Sequence, residues 1–402
     1  MKESWETKTL GEVCEVFVDG DWVESKDQSS EGIRLIQTGN VGEGVFKDRS
    51  EKARYISEET FKRLRCTEIV EGDCLVSRLP DPVGRSCILP DIGERMITAV
   101  DCTILRFNLK QLLPAFFNLY SQSDDYLAAV AKECTGTTRN RISRSNLGQT
   151  PIPVPPLPEQ QRIVALLDEA FAGLATARAN AERNLQNARA IFESHLEAVF
   201  SQRGDGWVEK ALGDVCSIAR GGSPRPISEF ITTEPGGINW IKISDATSSG
   251  KYIFKTAQTI KPEGVSRSRM VNDGDFLLSN SMSFGRPYIM RTSGCIHDGW
   301  LVLSDYAGSL TQDYLYYLLG SKLVFRQFDS LAAGSTVRNL NIELASRVIL
   351  PVPPLEVQQI IAKDIEVLSE ETQRLTRLYE RKLAALEELK KSLLHQAFND
   401  EL

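Results

Sequence analysis

Along roughly 1–155 and 205–353 the apolar residues come in short runs broken by Gly, Pro, Asp and Asn. Ile33–Ile36, Cys87–Leu89, Thr103–Phe107, Ile238–Ile243 and Leu301–Leu303 are such runs, and they predict strands in a β-rich, α+β setting. Short helices are expected between them over Leu112–Ser121 and Asp313–Ser321. Elsewhere the pattern changes in kind. Glu159–Phe200 has no Pro and one Gly, with apolar or small residues at Ile163, Leu167, Ala170, Leu174, Ala177, Ala181, Leu185, Ala188, Phe192, Leu196 and Val199. A second stripe runs through Ile361, Ile365, Leu368, Thr372, Leu375, Tyr379, Lys382, Leu386, Leu389 and Leu393. Steps that alternate four and three are a heptad signature and predict two long helices. Each would be about 60 Å long. A stripe of that length needs a partner of similar length, and the other helix is the expected one.

The chain also repeats itself. Trp5 and Leu10-Gly11-Glu12-Val13-Cys14 return as Trp207 and Leu212-Gly213-Asp214-Val215-Cys216. Gly72-Asp73-Cys74-Leu75-Val76-Ser77 returns as Gly274-Asp275-Phe276-Leu277-Leu278-Ser279, and Gly84-Arg85 as Gly285-Arg286. Ile152-Pro-Val-Pro-Pro-Leu157 returns as Leu350-Pro-Val-Pro-Pro-Leu355, with Gln160-Gln161 matched by Gln358-Gln359. A period near 200 residues is too long for a solenoid and means two copies of one domain. The expected division is 1–155 and 205–353 for the globular parts, 156–204 and 354–402 for the helices. The two proline-rich segments read as stiff struts that set the angle between domain and helix. If the helices pair antiparallel, the globular parts are related by a pseudo-two-fold axis, which matches the backbone symmetry of duplex DNA.

Composition narrows the chemistry. Hydrophobic content of 42% and charged content of 25% are ordinary for a globular protein. No run is long and apolar enough to span a bilayer, and the start lacks a signal-peptide core, so a cytoplasmic location is expected. Eight cysteines without a CxxC pair read as buried free thiols, with no metal site. The three histidines, His195, His297 and His395, assemble into no evident site. There is neither a [DN]PP[YF] methyltransferase motif nor a GxxxxGK[ST] phosphate loop, so no catalysis is expected. A net charge of −7 excludes a protein that coats nucleic acid non-specifically. Any positive surface must be local or completed by partners, and weak DNA affinity is expected of the chain alone.

Gly136-Thr-Thr-Arg-Asn-Arg-Ile142, Asn146-Leu147 and Ile152-Pro-Val-Pro-Pro-Leu-Pro-Glu-Gln-Gln-Arg-Ile163 resemble type I restriction-modification specificity subunits. The likeness extends over the whole chain, although Val357 stands in the second copy where Glu159 stands in the first. It implies two β-rich α+β target-recognition domains separated by two long helices in an antiparallel coiled coil. It also implies a bipartite, asymmetric DNA target and two methyltransferase subunits that carry S-adenosylmethionine. Motor/nuclease subunits that use ATP would complete the complex, and this chain would hold no cofactor of its own. A methylation-only system, or a coiled-coil adaptor that never touches DNA, is the alternative.

Candidate DNA contacts are cations and amides near the shared glycines. In the first copy these are Arg78, Arg85, Arg139, Asn140, Arg141 and Arg144; in the second, Asn280, Arg286, Arg338 and Asn339. Arg suits guanine O6/N7 and Asn suits adenine N6/N7. Thr137, Thr138, Ser335 and Thr336 are candidates for phosphate contacts. Lys62, Arg63, Arg65, Arg267 and Arg269 read as phosphate clamps, and Gly72, Gly136, Gly274 and Gly334 as backbone geometry.

Overall fold

The computed structural model describes residues 5–136, 140–202, 204–280, 284–332 and 340–399. It divides into two compact units, Met1–Glu182 with Arg381–Leu402, and Arg183–Glu380. The first unit has a four-stranded sheet in the order Cys14–Asp19, Cys102–Phe107, Cys74–Ser77, Ser86–Ile88. Its second sheet runs Tyr55–Ile56, Ile33–Ile36, Met96–Thr98, Glu68–Ile69, with a parallel pairing of Ile33–Ile36 on Met96–Thr98. The second unit repeats this order as Ser217–Arg220, Trp300–Ser304, Phe276–Ser279, Pro287–Met290, and adds Tyr252–Ile253 at the edge. Its other sheet again holds a parallel pair, Ile238–Ile241 on Gly294–Ile296.

Backbone hydrogen bonds make the correspondence specific. Gly72 N–H donates to Leu89 O and Gly274 N–H to Met290 O, each at 3.0 Å. Both glycines have positive φ, 84° and 89°, which an L side chain adopts only with strain. The Gly-Asp-x-Leu-x-Ser element is therefore a tight turn into a buried strand, as its glycine suggested.

The proline-rich segments are strands rather than free struts. Pro151–Val154 pairs antiparallel with Glu6–Thr9, and Ile349–Val352 with Val208–Ala211. Their prolines sit in two-stranded ribbons, where a missing N–H costs little. The long helices follow at once, as Leu157–Ser201 and Leu355–Phe398. Val357 in place of Glu159 leaves the helix start unchanged, because a buried glutamine one residue later fixes it. Gln160 Oε1 accepts from Leu113 N–H at 2.8 Å, while its Nε2 donates to Gln111 O and Pro155 O, each at 2.8 Å. Gln358 makes the same three bonds, from Thr311 N–H at 2.8 Å and to Ser309 O and Pro353 O at 2.9 Å. Replacing Gln160 by Leu takes the side-chain partner from three backbone groups, one buried and two half-buried. It should destabilise the first unit by about 3 kcal/mol, read as a lower urea midpoint.

In each unit a stretch of one long helix runs antiparallel to a stretch of the other. Arg178 pairs with Glu387 and Lys390 caps the Phe171 ring in the first unit. Arg189 pairs with Glu380 in the second, where Leu196 and Gln373 line one hollow. Every position of the first predicted stripe is buried or half-buried. The second stripe is corrected near its end. Lys382 and Leu389 are exposed, and Leu383 and Lys390 take the inward places. A straight helix drifts about 20° per heptad against a strict repeat, and an extra step of four restores the alignment.

The helix ends close the two cores. Phe398 packs edge-on against Phe116 and Tyr120 in the first unit, at centroid distances of 5.4 and 5.1 Å. Phe200 packs edge-on against Tyr314 in the second, at 5.6 Å. Among the described residues no helix is long and apolar enough to cross a membrane.

Candidate nucleic-acid interface

At one end of the four-stranded sheet of the first unit, three elements converge. Strand Cys14–Asp19 delivers Asp19, strand Cys74–Ser77 runs into Arg78, and Asp101 precedes strand Cys102–Phe107. Arg78 N–H donates to Asp101 O at 2.9 Å, and Ile142 N–H donates to Arg78 O at 3.4 Å. Ile142 is thereby anchored to the sheet end. Thr135 and Arg141 exchange backbone hydrogen bonds at 2.9 and 3.0 Å, closing the base of the segment between them.

Side-chain charges gather on that base. Arg141 Nη2 lies 3.0 Å from Asp101 Oδ1, and Arg144 Nε lies 4.0 Å from Asp19 Oδ2. All four groups keep between 30% and 46% of their side-chain surface exposed, so their unused donors and acceptors face solvent. Asn140 is exposed beside them. Guanidinium donors suit guanine and carboxylate acceptors suit cytosine N4. Thr137, Thr138 and Arg139 lie outside the described residues, as do Ser335, Thr336, Arg338 and Asn339, with Gly334.

Arg78 and Arg85 are placed differently from the expectation. Both are buried, and burial pushes both guanidinium groups below their ordinary value. Arg85 donates to the carbonyls of Val41, Leu79, Pro82 and Thr38 at 2.8 to 3.0 Å. Arg78 donates to Val100 O and Ile142 O, with Nε 3.3 Å from Asp19 Oδ1 in an ion contact that is not aligned as a hydrogen bond. These side chains hold loops in place and present no free edge to a base. Arg63 is engaged by Asp27 at 2.6 Å, and Lys62, Arg63 and Arg65 are all exposed.

The second unit uses the same backbone with other side chains. Asn280 N–H donates to Gly299 O and Leu340 N–H to Asn280 O, both at 3.0 Å. Asn280 is buried and gives its Nδ2–H to Asp298 O at 2.9 Å. The Asp298 carboxylate accepts from Ser223 Oγ at 2.7 Å and Arg225 Nη2 at 3.2 Å. A cleft of about 1130 Å³ opens beside this rim, lined by Pro224, Ile227, Trp240, Ile243 and His297 among others. Burial pushes His297 below its ordinary value, so the ring is neutral at pH 7. Arg286, unlike its counterpart Arg85, is exposed. Arg267 lies over the Phe230 ring and Arg269 donates to Arg220 O at 2.7 Å. Asp19, Asp101, Ser223, Arg225 and Asp298 were invisible to motif reading, because their partners are distant in sequence.

Among the described residues no cysteine offers a reactive thiolate beside these groups. All eight cysteines are free; burial pushes the Cys14 and Cys216 thiols up to about 12, and those of Cys66 and Cys102 to about 11. Among the described residues no group of three His, Cys, Asp or Glu could hold a metal ion.

The type I restriction modification DNA specificity domain, as a family model, matches residues 2–182 and 204–387. The chain belongs to this family. The two matched stretches fall on the two copies, so both are specificity domains. Among similar proteins is a putative type I restriction enzyme MjaX specificity subunit of Methanocaldococcus jannaschii. It is 22% identical over 388 residues, covering 92% of this chain and 87% of that one. The EcoBI specificity subunit of Escherichia coli is 22% identical over 315 residues, 70% of this chain and 65% of its own length. Two solved structures share the fold. One, described as the structural basis of complex assembly and conformational transition of the type I R-M system, has a TM-score of 0.82 at 21% identity, covering 100% of this chain and 99% of that one. The HsdS subunit of Thermoanaerobacter tengcongensis has a TM-score of 0.61 at 21% identity, covering 100% and 98%. Type I specificity subunits are non-catalytic, and this chain is of that class.

Proposed function

We propose that this specificity subunit reads a two-part, asymmetric DNA target and directs methyltransferase subunits to it. One observation carries the reading: two units share a backbone frame but present different side chains at equivalent places. On the turn that accepts the Arg78 and Asn280 N–H groups, the first unit has Val100 and the half-exposed Asp101, where the second has the half-exposed carboxylate of Asp298 followed by Gly299. A common frame with exchanged chemistry suits two readers of unlike sequences. Arg141 and Arg144, with Asn140, read the first half of the target; Arg286 and the residues around Asp298 serve the second. The partner subunits carry S-adenosylmethionine and two of them flank the DNA, while motor/nuclease subunits that use ATP add restriction.

Single-molecule sequencing of methylated DNA, with and without this chain beside its methyltransferase, tests the reading. A bipartite methylated motif that appears only with the chain is expected; a motif independent of it would overturn the proposal. Arg141→Ala should relax the requirement at one position of the first half-site and weaken binding there about 5- to 150-fold. Competition binding of single-base variants of the target by the assembled complex checks this. A loss spread equally over all sequences would assign Arg141 to a phosphate instead.

A further inference from the structure

The strongest difference between the two units lies outside the segments that motif reading singled out. Strand Cys14–Asp19 and strand Ser217–Arg220 both end on a glycine clamped to the facing turn. Gly20 N–H donates to Cys102 O at 2.8 Å, and Gly221 N–H to Trp300 O at 3.0 Å. The next residues bond the same turn: Asp21 N–H to Thr98 O at 2.8 Å, Gly222 N–H to Ile296 O at 3.1 Å. A Cβ on Gly20 would stand 2.4 Å from Ala99 O, and on Gly221 2.1 Å from His297 O. Both glycines are demanded by close approach, so the frame is fixed in both units.

Immediately beyond the frame the side chains part company. Trp22 corresponds to Ser223 and Glu24 to Arg225. Across the turn Ala99 corresponds to His297, Val100 to Asp298 and Asp101 to Gly299. Trp22 is 68% exposed and belongs to no hydrophobic cluster of the unit; its indole N–H makes one long contact, 3.4 Å to Glu24 Oε1. Packing does not account for a large apolar ring held out next to Asp21, whose carbonyl accepts from Val100 N–H at 3.0 Å, one residue before Asp101. A sheet end that already offers guanidinium and carboxylate groups lacks one thing for reading the major groove, an apolar surface for the thymine 5-methyl group.

We propose that Trp22 is a specificity-determining residue that packs its indole on a thymine 5-methyl group in the first half of the target. This rests on the proposed function above. Ser223 and Arg225 hold the same place in the second unit and give that half a polar reading edge.

The test uses the chain assembled with its methyltransferase subunits, on duplexes whose thymines are replaced one at a time by deoxyuridine, which lacks the methyl group. With the unaltered chain, one replacement in the first half-site should lower the methylation rate at limiting DNA about fourfold, the worth of one buried methyl. Trp22→Ala should lose that discrimination and methylate both duplexes equally, while keeping its response to changes in the second half-site. Trp22→Phe, which keeps an apolar ring, should retain it. The unaltered complex shows first whether methylation is sequence-directed at all; if it is not, the functional reading fails. If methylation is directed but no deoxyuridine in the first half-site matters, or Trp22→Ala discriminates as before, the assignment of Trp22 is overturned. The deoxyuridine series on the unaltered complex needs no folded variant, so it decides even if Trp22→Ala is unstable.

Discussion

Phe398→Ala should destabilise the first unit by about 3–4 kcal/mol, the cost of removing a buried ring and leaving its space unfilled. The ring meets Phe116 and Tyr120 edge-on inside a core that also includes Ile163, Leu167 and Leu394. Edge-to-face pairs add to the area term. The measurement is hydrogen–deuterium exchange. Amides of Pro114–Tyr120 should exchange a hundredfold or more faster at neutral pH, whereas those of Gln312–Leu319 keep their protection. Phe200→Ala should do the reverse, since Phe200 faces Tyr314 in the core of the second unit. Equal loosening of both helices by either variant would show that the two cores do not act separately.

Inserting four residues into each long helix, at facing points of the antiparallel pair, should abolish methylation at the original target and create a new one. One helical turn adds about 6 Å, roughly two base pairs of duplex at the spacing given by its charges. The two half-sites should keep their sequences while the gap between them changes. The expected outcome follows if the helices, and not the globular parts, set this gap, because each unit keeps its own glutamine anchor and core. Sequencing of methylated DNA reads it directly; an unchanged gap would reject the helices as a ruler.

The backbone plan was more legible than the site. Heptads are visible because burial on a helix recurs at fixed steps, and the stripe from Ile163 to Val199 lies inward throughout. The slip at Lys382 and Leu389 was not visible, since sequence alone does not say where a straight helix takes its extra residue. Prolines hid the strands Pro151–Val154 and Ile349–Val352, which are legible only through their partners near Glu6 and Val208. The repeat located the frame of the candidate site through Gly72, Gly274 and the Ser77 and Ser279 strands. Which arginines remain available was not legible. Arg85 and Arg141 look alike as letters, yet one spends its donors on four buried carbonyls and the other faces solvent beside Asp101. That difference is made by tertiary contacts across tens of residues.

The glutamine anchors carry a consequence for engineering. Gln160 and Gln358 tie the helix start to a backbone N–H and two carbonyls in the same way in both units. The side-chain hydrogen bonds go to main-chain atoms alone, so those bonds do not depend on which residue types supply them. The joint at the start of each helix is therefore transferable. A foreign domain ending in Pro-Pro-Leu-x-x-Gln, with a loop that offers the same N–H and carbonyl, would inherit the helix start, but its core must also take in the helix-end residues, as the first unit takes in Leu394 and Phe398.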